Sequence, residues 1–366
     1  MKNQLLLTLA RLLKPAALNP QAPRHFLILS TTGLGDTLWA TPAIRALRSN
    51  YPASKISVLT SPIGQEVLRH NRYIDKIIVV KDPVFTSLIP LYFSLKKKGI
   101  TDVLHFHTSQ RPILALASVL GASRIVGTKG IQKGLDSLLT DPLTSTDIHE
   151  IERRLKIIQH IGATWTDPSL ELFISPEDEL EADQFLSQLN LPSYLPIVSI
   201  HPGAKDLFKQ WAPSQFIDLG NRLIQHLGCQ ILITGNPSEK ALVTQIADQI
   251  PGAIAVTHLK LRAFAALIKR IKLMITNDTG PMHIAFAMRT PTVALFTPTN
   301  PNLCGPYHVK QVKVIAKQRT CTPCLRKKCK EPFCLFQIGV SEVTQAAVTL
   351  FHHSPSGPLH ETRSTR

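Results

Sequence analysis

The residues able to do chemistry gather at three strand-to-helix turns. The first is Thr31-Thr32-Gly33-Leu34-Gly35-Asp36. Gly33 and Gly35 let a ligand approach the backbone, and Asp36 would offer it a carboxylate. Asp36 reads either as a general base or as a helix cap, a position aspartate favours. A helix dipole would lower its pKa and make it a weak base, though one still able to orient a hydroxyl as positive charge develops. The turn starts like a dinucleotide fingerprint and then departs from it twice. Leu38 stands at the third glycine position, and Leu59-Thr60-Ser61 replaces the acidic residue expected after the next strand.

The second turn is His201-Pro202-Gly203-Ala204-Lys205, followed by Lys209-Gln210-Trp211. Lys205 and Lys209 are either solvated loop lysines or a pair of cations for a diphosphate and its departure. Nearby in sequence, Glu239 follows the turn Gly235-Asn236-Pro237. It could accept from ribose hydroxyls or merely be an acid in a helix's first turn. The third turn is Asn277-Asp278-Thr279-Gly280-Pro281, with His283 just inside the helical pattern beyond it. Pro281 suits the first helical turn, and Thr279 or Asp278 suits the cap. Unpaired N–H groups at the positive end of a helix make such a turn an anion site, most often for phosphate. A fourth group, Cys321, Cys324, Cys329 and Cys334, is spaced so that four thiolates could hold a structural metal. The alternative is a compact loop of reduced thiols whose interleaved cations Arg326, Lys327, Lys328 and Lys330 face an anionic lipid or sugar phosphate.

These turns need strands and helices to hold them. Runs at 25–30, 55–60, 75–80, 102–107 and 124–127 read as strands, and a helix is expected from about Thr37 to Ser49. Further helical patterns lie at 84–98, 111–120, 149–161 and 177–189. After LPSYLP at 191–196 the alternation restarts, with IVSIHPGA at 197–204 and strands at 230–235, 273–275 and 292–296. Helices are expected at 213–227, 237–250, 261–270 and 341–351. Such alternation predicts an α/β protein with helices on both faces of parallel sheets, built as two domains with ligand sites at strand C-termini. The expected division is an N-terminal domain over 1–190 and a C-terminal domain over 191–340 carrying the cysteine segment 321–334. A terminal helix and a disordered tail would follow over 341–366. Leu5, Leu9, Leu12 and Ala16 share a helical face opposite Lys2, Arg11 and Lys14, so residues 1–20 read as an amphipathic helix rather than a cleaved leader.

The chain has 366 residues, 44% of them apolar, enough for a sizeable core. No apolar run reaches membrane-spanning length. The net charge of +16 predicts an anionic partner. Aromatics at only 6%, without basic–aromatic alternation, set nucleic acid behind a membrane surface or a phosphorylated glycan. Cys229 and Cys304 lie far from the cysteine group and from one another, which favours a reducing compartment.

Three motifs in order, STTGLGDTLWATPAIRALRSNYP, then IHPGA with KQW, then NDTGPMHIA with TPTVALFTPTNP, resemble glycosyltransferase family 9, the ADP-heptose:lipopolysaccharide heptosyltransferases. The resemblance spans nearly the whole chain. It implies a GT-B fold, two Rossmann-like domains facing across a cleft, and an inverting transfer without cofactor or catalytic metal. It also implies a cytoplasmic enzyme peripheral to the inner membrane, acting on a nucleotide sugar and an anionic glycolipid. By the family's pattern Asp36 is the base, in the turn with Gly33 and Gly35. Lys209 contacts the donor phosphates, and Asp278, Thr279, Gly280 and His283 hold the diphosphate. Glu239 falls in the loop of the ribose-binding acid. Rival readings are a GT-B enzyme with another nucleotide sugar or glycan, a sugar-nucleotide epimerase, and a non-enzymatic polyanion-binding protein.

Overall fold

A computed structural model describes residues 23–353 except 82, 109, 145–146, 193, 326–327 and 330–331. The expected N-terminal helix over 1–20, most of the expected tail, and the cations Arg326, Lys327 and Lys330 lie outside the described residues.

The first unit is built on β1 His25–Ser30, a run of six buried residues whose β-branched and leucine content suits a strand covered on both faces. It pairs in parallel with β2 Lys55–Thr60 on one side and β4 Asp102–His107 on the other. With β3 Lys76–Val79, β5 Arg124–Thr128 and β6 Asp141–Leu143, the six-stranded order is β3-β2-β1-β4-β5-β6. The second unit repeats this plan. Its strands are β7 Ile197–His201, β8 Gln230–Thr234, β9 Ile254–Val256, β10 Leu273–Asn277, β11 Thr292–Phe296 and β12 Val312–Ala316. They run in the order β12-β11-β10-β7-β8-β9, all parallel. In both sheets the chain's first strand lies beside its fourth, and the order reverses between them. Loops that diverge at such a point leave a crevice at the strand C-termini.

Strands β6, β9 and β12 carry no clear sequence signal, because each is an edge strand of three to five partly exposed residues, without a buried apolar run. The helix expected from Thr37 to Ser49 is two helices, Leu34–Leu38 and Thr41–Asn50. The chain divides between Phe173 and Ile174, not at 190–196. The helix Pro176–Gln188, expected in the first domain, belongs to the second unit. Its Ala182 and Phe185 join Ala266, Leu267 and Met274 in one core cluster, and Arg262 reaches back to Asp178 at 2.8 Å. Apolar contact on the second sheet's face, rather than the proline-bearing segment that follows, decides its membership.

Candidate functional site

In the first unit, Asp36 and His107 meet where the strand order reverses. Gly33, in extended conformation, caps the helix Leu34–Leu38, so Asp36 sits within its first turn and is not the cap residue. His107 ends β4, whose register against β1 shifts between Leu29 and Ser30 so that Ser30 lies opposite His107. Its Nδ1 lies 3.3 Å from Asp36 Oδ1. Behind them, the helix Glu150–His160 supplies Arg154, which is fully buried with its Nη2 3.8 Å from the same oxygen. Glu150 Oε2 receives Arg154 Nη1 at 2.6 Å and also receives Arg153, whose Nη1 donates to the Phe106 carbonyl at 3.0 Å. Arg154 Nη2 makes no hydrogen bond among the described residues, so its charge reaches Asp36 through space.

Burial opposes ionisation of Asp36, but the His107 hydrogen bond, the Arg154 charge and the His107 charge outweigh it and hold the carboxyl down at about 2. Glu150 is likewise held at about 2, burial being overcome by Arg154 and then Arg153. The Asp36 side chain keeps 27% of its surface exposed. The site therefore presents one ionised, partly accessible carboxylate, held by a half-exposed His107 at its side and by fully buried Arg154 behind it. That arrangement orients a hydroxyl and stabilises developing positive charge; it does not store a proton near neutrality.

The second unit places a cation at the equivalent point. Lys209 lies in a short 3-10 turn after β7, and its Nζ is 2.6 Å from Asp278 Oδ2, just past β10. The Thr299 hydroxyl donates to the same carboxylate oxygen. Asn277 fastens the two loops by accepting from the Trp211 N–H at 3.2 Å and donating to the Pro202 carbonyl at 2.7 Å. Thr279 caps the helix Gly280–Ala287 in extended conformation, with Pro281 in the first turn and no side-chain cap bond. The amides opening this helix thus lie beside the Lys209–Asp278 pair. His283 is buried within it and meets Phe286 edge-on at 5.7 Å.

Glu239 completes a capping box, accepting from the Asn236 N–H at 2.9 Å. Its carboxylate also lies over Gly203, where a Cβ would stand 2.1 Å from Oε1. Glycine there lets the acid cross to the end of β7. Lys205, by contrast, is exposed and away from the Lys209–Asp278 pair's hydrogen bonds. The two lysines expected as a pair are therefore unlike: Lys209 is fixed and Lys205 is a surface residue. Among the described residues no three of His, Cys, Asp and Glu form a metal-holding group, and of the four grouped cysteines Cys334 is buried while the others are half-exposed.

Sequence reasoning missed His107, Arg154, Glu150, Asn277 and Thr299. Two weak signals were available: His107 ends an apolar strand, and Arg154 falls on the apolar face of its helix beside Ile151, Leu155 and Ile158. An arginine on such a face needs a buried acid to answer it.

Comparison with known proteins fits this arrangement. The model of glycosyltransferase family 9 (heptosyltransferase) matches residues 115–334. The lipopolysaccharide core heptosyltransferase OpsX of Haemophilus influenzae is 24% identical over 300 residues, covering 79% of this chain and 83% of the relative. Lipopolysaccharide heptosyltransferase 3 of Escherichia coli is 28% identical over 287 residues, 73% of this chain and 80% of that one. Among solved structures, a glycosyl transferase family 9 protein of Veillonella parvula superposes with a TM-score of 0.81 at 24% identity, over 93% of this chain and all of the other. The Escherichia coli ADP-heptose LPS heptosyltransferase II superposes with a TM-score of 0.72 at 20% identity, over 90% and 98%. Two Rossmann-like sheets of the GT-B class, an ionised aspartate on one and a braced lysine on the other thus accompany a family match across most of the chain: this protein is a glycosyltransferase of family 9.

Proposed function

We propose that the protein transfers heptose from ADP-heptose to a sugar hydroxyl of a lipopolysaccharide inner-core acceptor, inverting the anomeric centre without a catalytic metal. The observation that carries this reading is the pairing of opposite charges with equivalent places in two sheets: ionised Asp36 at one reversal point and Lys209 at the other. The donor's diphosphate rests on the amides of Thr279 and Gly280, and Lys209 meets it as a cation. Asp278 then acts on Lys209 rather than on phosphate, since two anions in contact would repel. His283 packs under this turn and supports it. Glu239, reaching past Gly203, accepts from the ribose.

The acceptor hydroxyl donates to Asp36, and its oxygen attacks the anomeric carbon as the bond to the ADP oxygen breaks. The hydroxyl proton passes toward the Asp36–His107 pair late in this step, and ADP leaves as the anion that Lys209 and the helix amides stabilise. The names of the relatives, OpsX and heptosyltransferases 3 and II, support this donor and acceptor class. Six free cysteines and the absence, among the described residues, of any helix able to cross a membrane fit a peripheral enzyme on the cytoplasmic side of the inner membrane.

The test is incubation with ADP-heptose and a panel of UDP- and GDP-sugars, each with truncated lipopolysaccharide acceptors, and NMR of the product's anomeric configuration. An inverted heptoside formed only from ADP-heptose is expected. Turnover of UDP-sugars in preference, or a retained configuration, would overturn the reading.

A further inference from the structure

The helix Val84–Lys96 of the first unit has two apolar faces, and the core accounts for only one. Val84, Leu91 and Leu95 are buried in the core under the first sheet, and Leu88 and Tyr92 pack against it. On the opposite side Ile89 and Phe93 stand one turn apart with 71% and 59% of their surfaces exposed, and exposed Thr86 and Pro90 flank them. A surface helix ordinarily turns charged residues outward at these positions. Here charge is confined to the ends and is almost all positive. Residues 81–98 contain Lys81, Lys96, Lys97 and Lys98 against the single acid Asp82. Lys81 and Lys97 are exposed, while Lys96 Nζ donates to the Leu120 carbonyl at 3.1 Å.

We propose that the outer face of this helix is a docking surface for an anionic lipid bilayer, with Ile89 and Phe93 entering the headgroup–acyl boundary and the lysines meeting lipid phosphates. Large apolar residues flanked by lysines are the chemistry of an interfacial helix, in which apolar burial and attraction to anionic lipid act together. A second copy of the chain would bring lysines against lysines, so charge favours the bilayer over self-association. The helix opens after β3, at the C-terminal edge of the same sheet that carries Asp36 and His107. Docking there would hold a lipid-linked acceptor beside the carboxylate. In that respect the inference rests on the proposed acceptor, while the binding itself does not.

The test uses the full chain with phosphatidylglycerol-containing vesicles, pure phosphatidylcholine vesicles and a water-soluble truncated acceptor. Ile89→Ser with Phe93→Ser should lower partitioning onto anionic vesicles by about tenfold, leaving thermal unfolding and turnover of the soluble acceptor unchanged. In a Phe93→Trp variant, brominated lipid should quench the added emission, which localises the contact even if another segment also binds. Undiminished binding by the double serine variant with no quenching would overturn the proposal, as would failure of the wild type to bind anionic vesicles. Conversion of a dimer to a monomer by the serine substitutions would assign the face to a second copy instead. Loss of the heptosyltransferase reading would show separately, as no turnover of the soluble acceptor by any variant.

Discussion

The two sheets share a strand order and a reversal point, yet the groups standing there have opposite charge. In the first unit the proposed functional group is a carboxylate, Asp36, and its counter-charge is Arg154 behind it, with the His107 ring hydrogen-bonded at its side. In the second the proposed functional group is a cation, Lys209, and the bracing is the carboxylate Asp278 with the Thr299 hydroxyl. The backbone plan fixes where loops diverge, but it fixes no charge. Each unit instead buries the counter-charge and leaves the functional charge nearer to solvent: Arg154 is fully buried against 27% exposure for Asp36, and Asp278 shows 7% against 20% for Lys209. On the proposed reading, desolvating the brace rather than the working group keeps the latter free to change partners when substrate arrives.

The sharpest way to break this comparison is Asp36→Asn, which keeps the shape and removes the charge. Transfer should fall by about 10²- to 10⁴-fold, with ADP affinity by calorimetry unaltered. Equal loss of both would make Asp36 a structural residue and end the division of labour between the units.

Removing a brace tests the other half. Arg154→Met leaves half-buried Glu150 with one cation fewer and Asp36 without its rear charge. Stability should drop by about 1–3 kcal/mol in urea unfolding, since both acids keep contact with solvent and Glu150 keeps Arg153. A variant as stable as the parent would show that Arg154 does not hold the first site together.

Lys209→Ala should weaken donor binding. ADP should bind about 10- to 100-fold more weakly, and the unfolding midpoint should fall as well, because the buried Asp278 carboxylate loses its cation and keeps only the Thr299 hydroxyl. Unchanged ADP affinity would confine Lys209 to a structural pair.

The smallest effect separates the units by pH. Each has a buried histidine on a central strand, His105 on β4 and His201 on β7, and the first unit also buries His25 on β1. Burial, then the nearby His107 and Arg153 charges, pushes His105 down to about 3, and burial pushes His201 down to about 4. Both bind protons more readily when unfolded, so their stabilising contribution is complete above the unfolded value near 6.5 and is lost as pH falls toward the folded values. Each should make stability fall by up to about 1.4 kcal/mol per pH unit in that window. The depressed carboxyls Asp36 and Glu150 add loss only below about pH 4. His201→Asn should flatten the unfolding midpoint between pH 6 and pH 4.5, roughly, in part, with the depressed His25 and His105 of the first unit carrying the rest; an unflattened profile would show that His201 is not among the groups responsible. No acid limb of activity near neutrality should arise from Asp36.

Much of this was readable before any coordinates. The glycine turn before Asp36, the Asp278-Thr279-Gly280-Pro281 turn and the strand–helix alternation are local: turn chemistry and apolar period specify them, and they led to the family and the architecture. Even the cap at Thr279 and the proline in the next helix's first turn were legible, since these depend on neighbours in the chain. The sequence also supplied the net charge and the separated cysteines, which are matters of composition. Tertiary structure alone decided who answers whom. His107 is 71 positions from Asp36, and Asp278 is 69 from Lys209. It also moved the helix Pro176–Gln188 to the second unit, fixed Lys209 in an ion pair while leaving Lys205 exposed, formed no metal-holding group from the cysteines among the described residues, and turned Ile89 and Phe93 outward. The physical reason is common to all of these. Pattern along a chain records what each residue needs from its immediate backbone and from burial, whereas a desolvated charge can be answered by any opposite charge that the fold brings within a few ångströms, and the sequence does not say which.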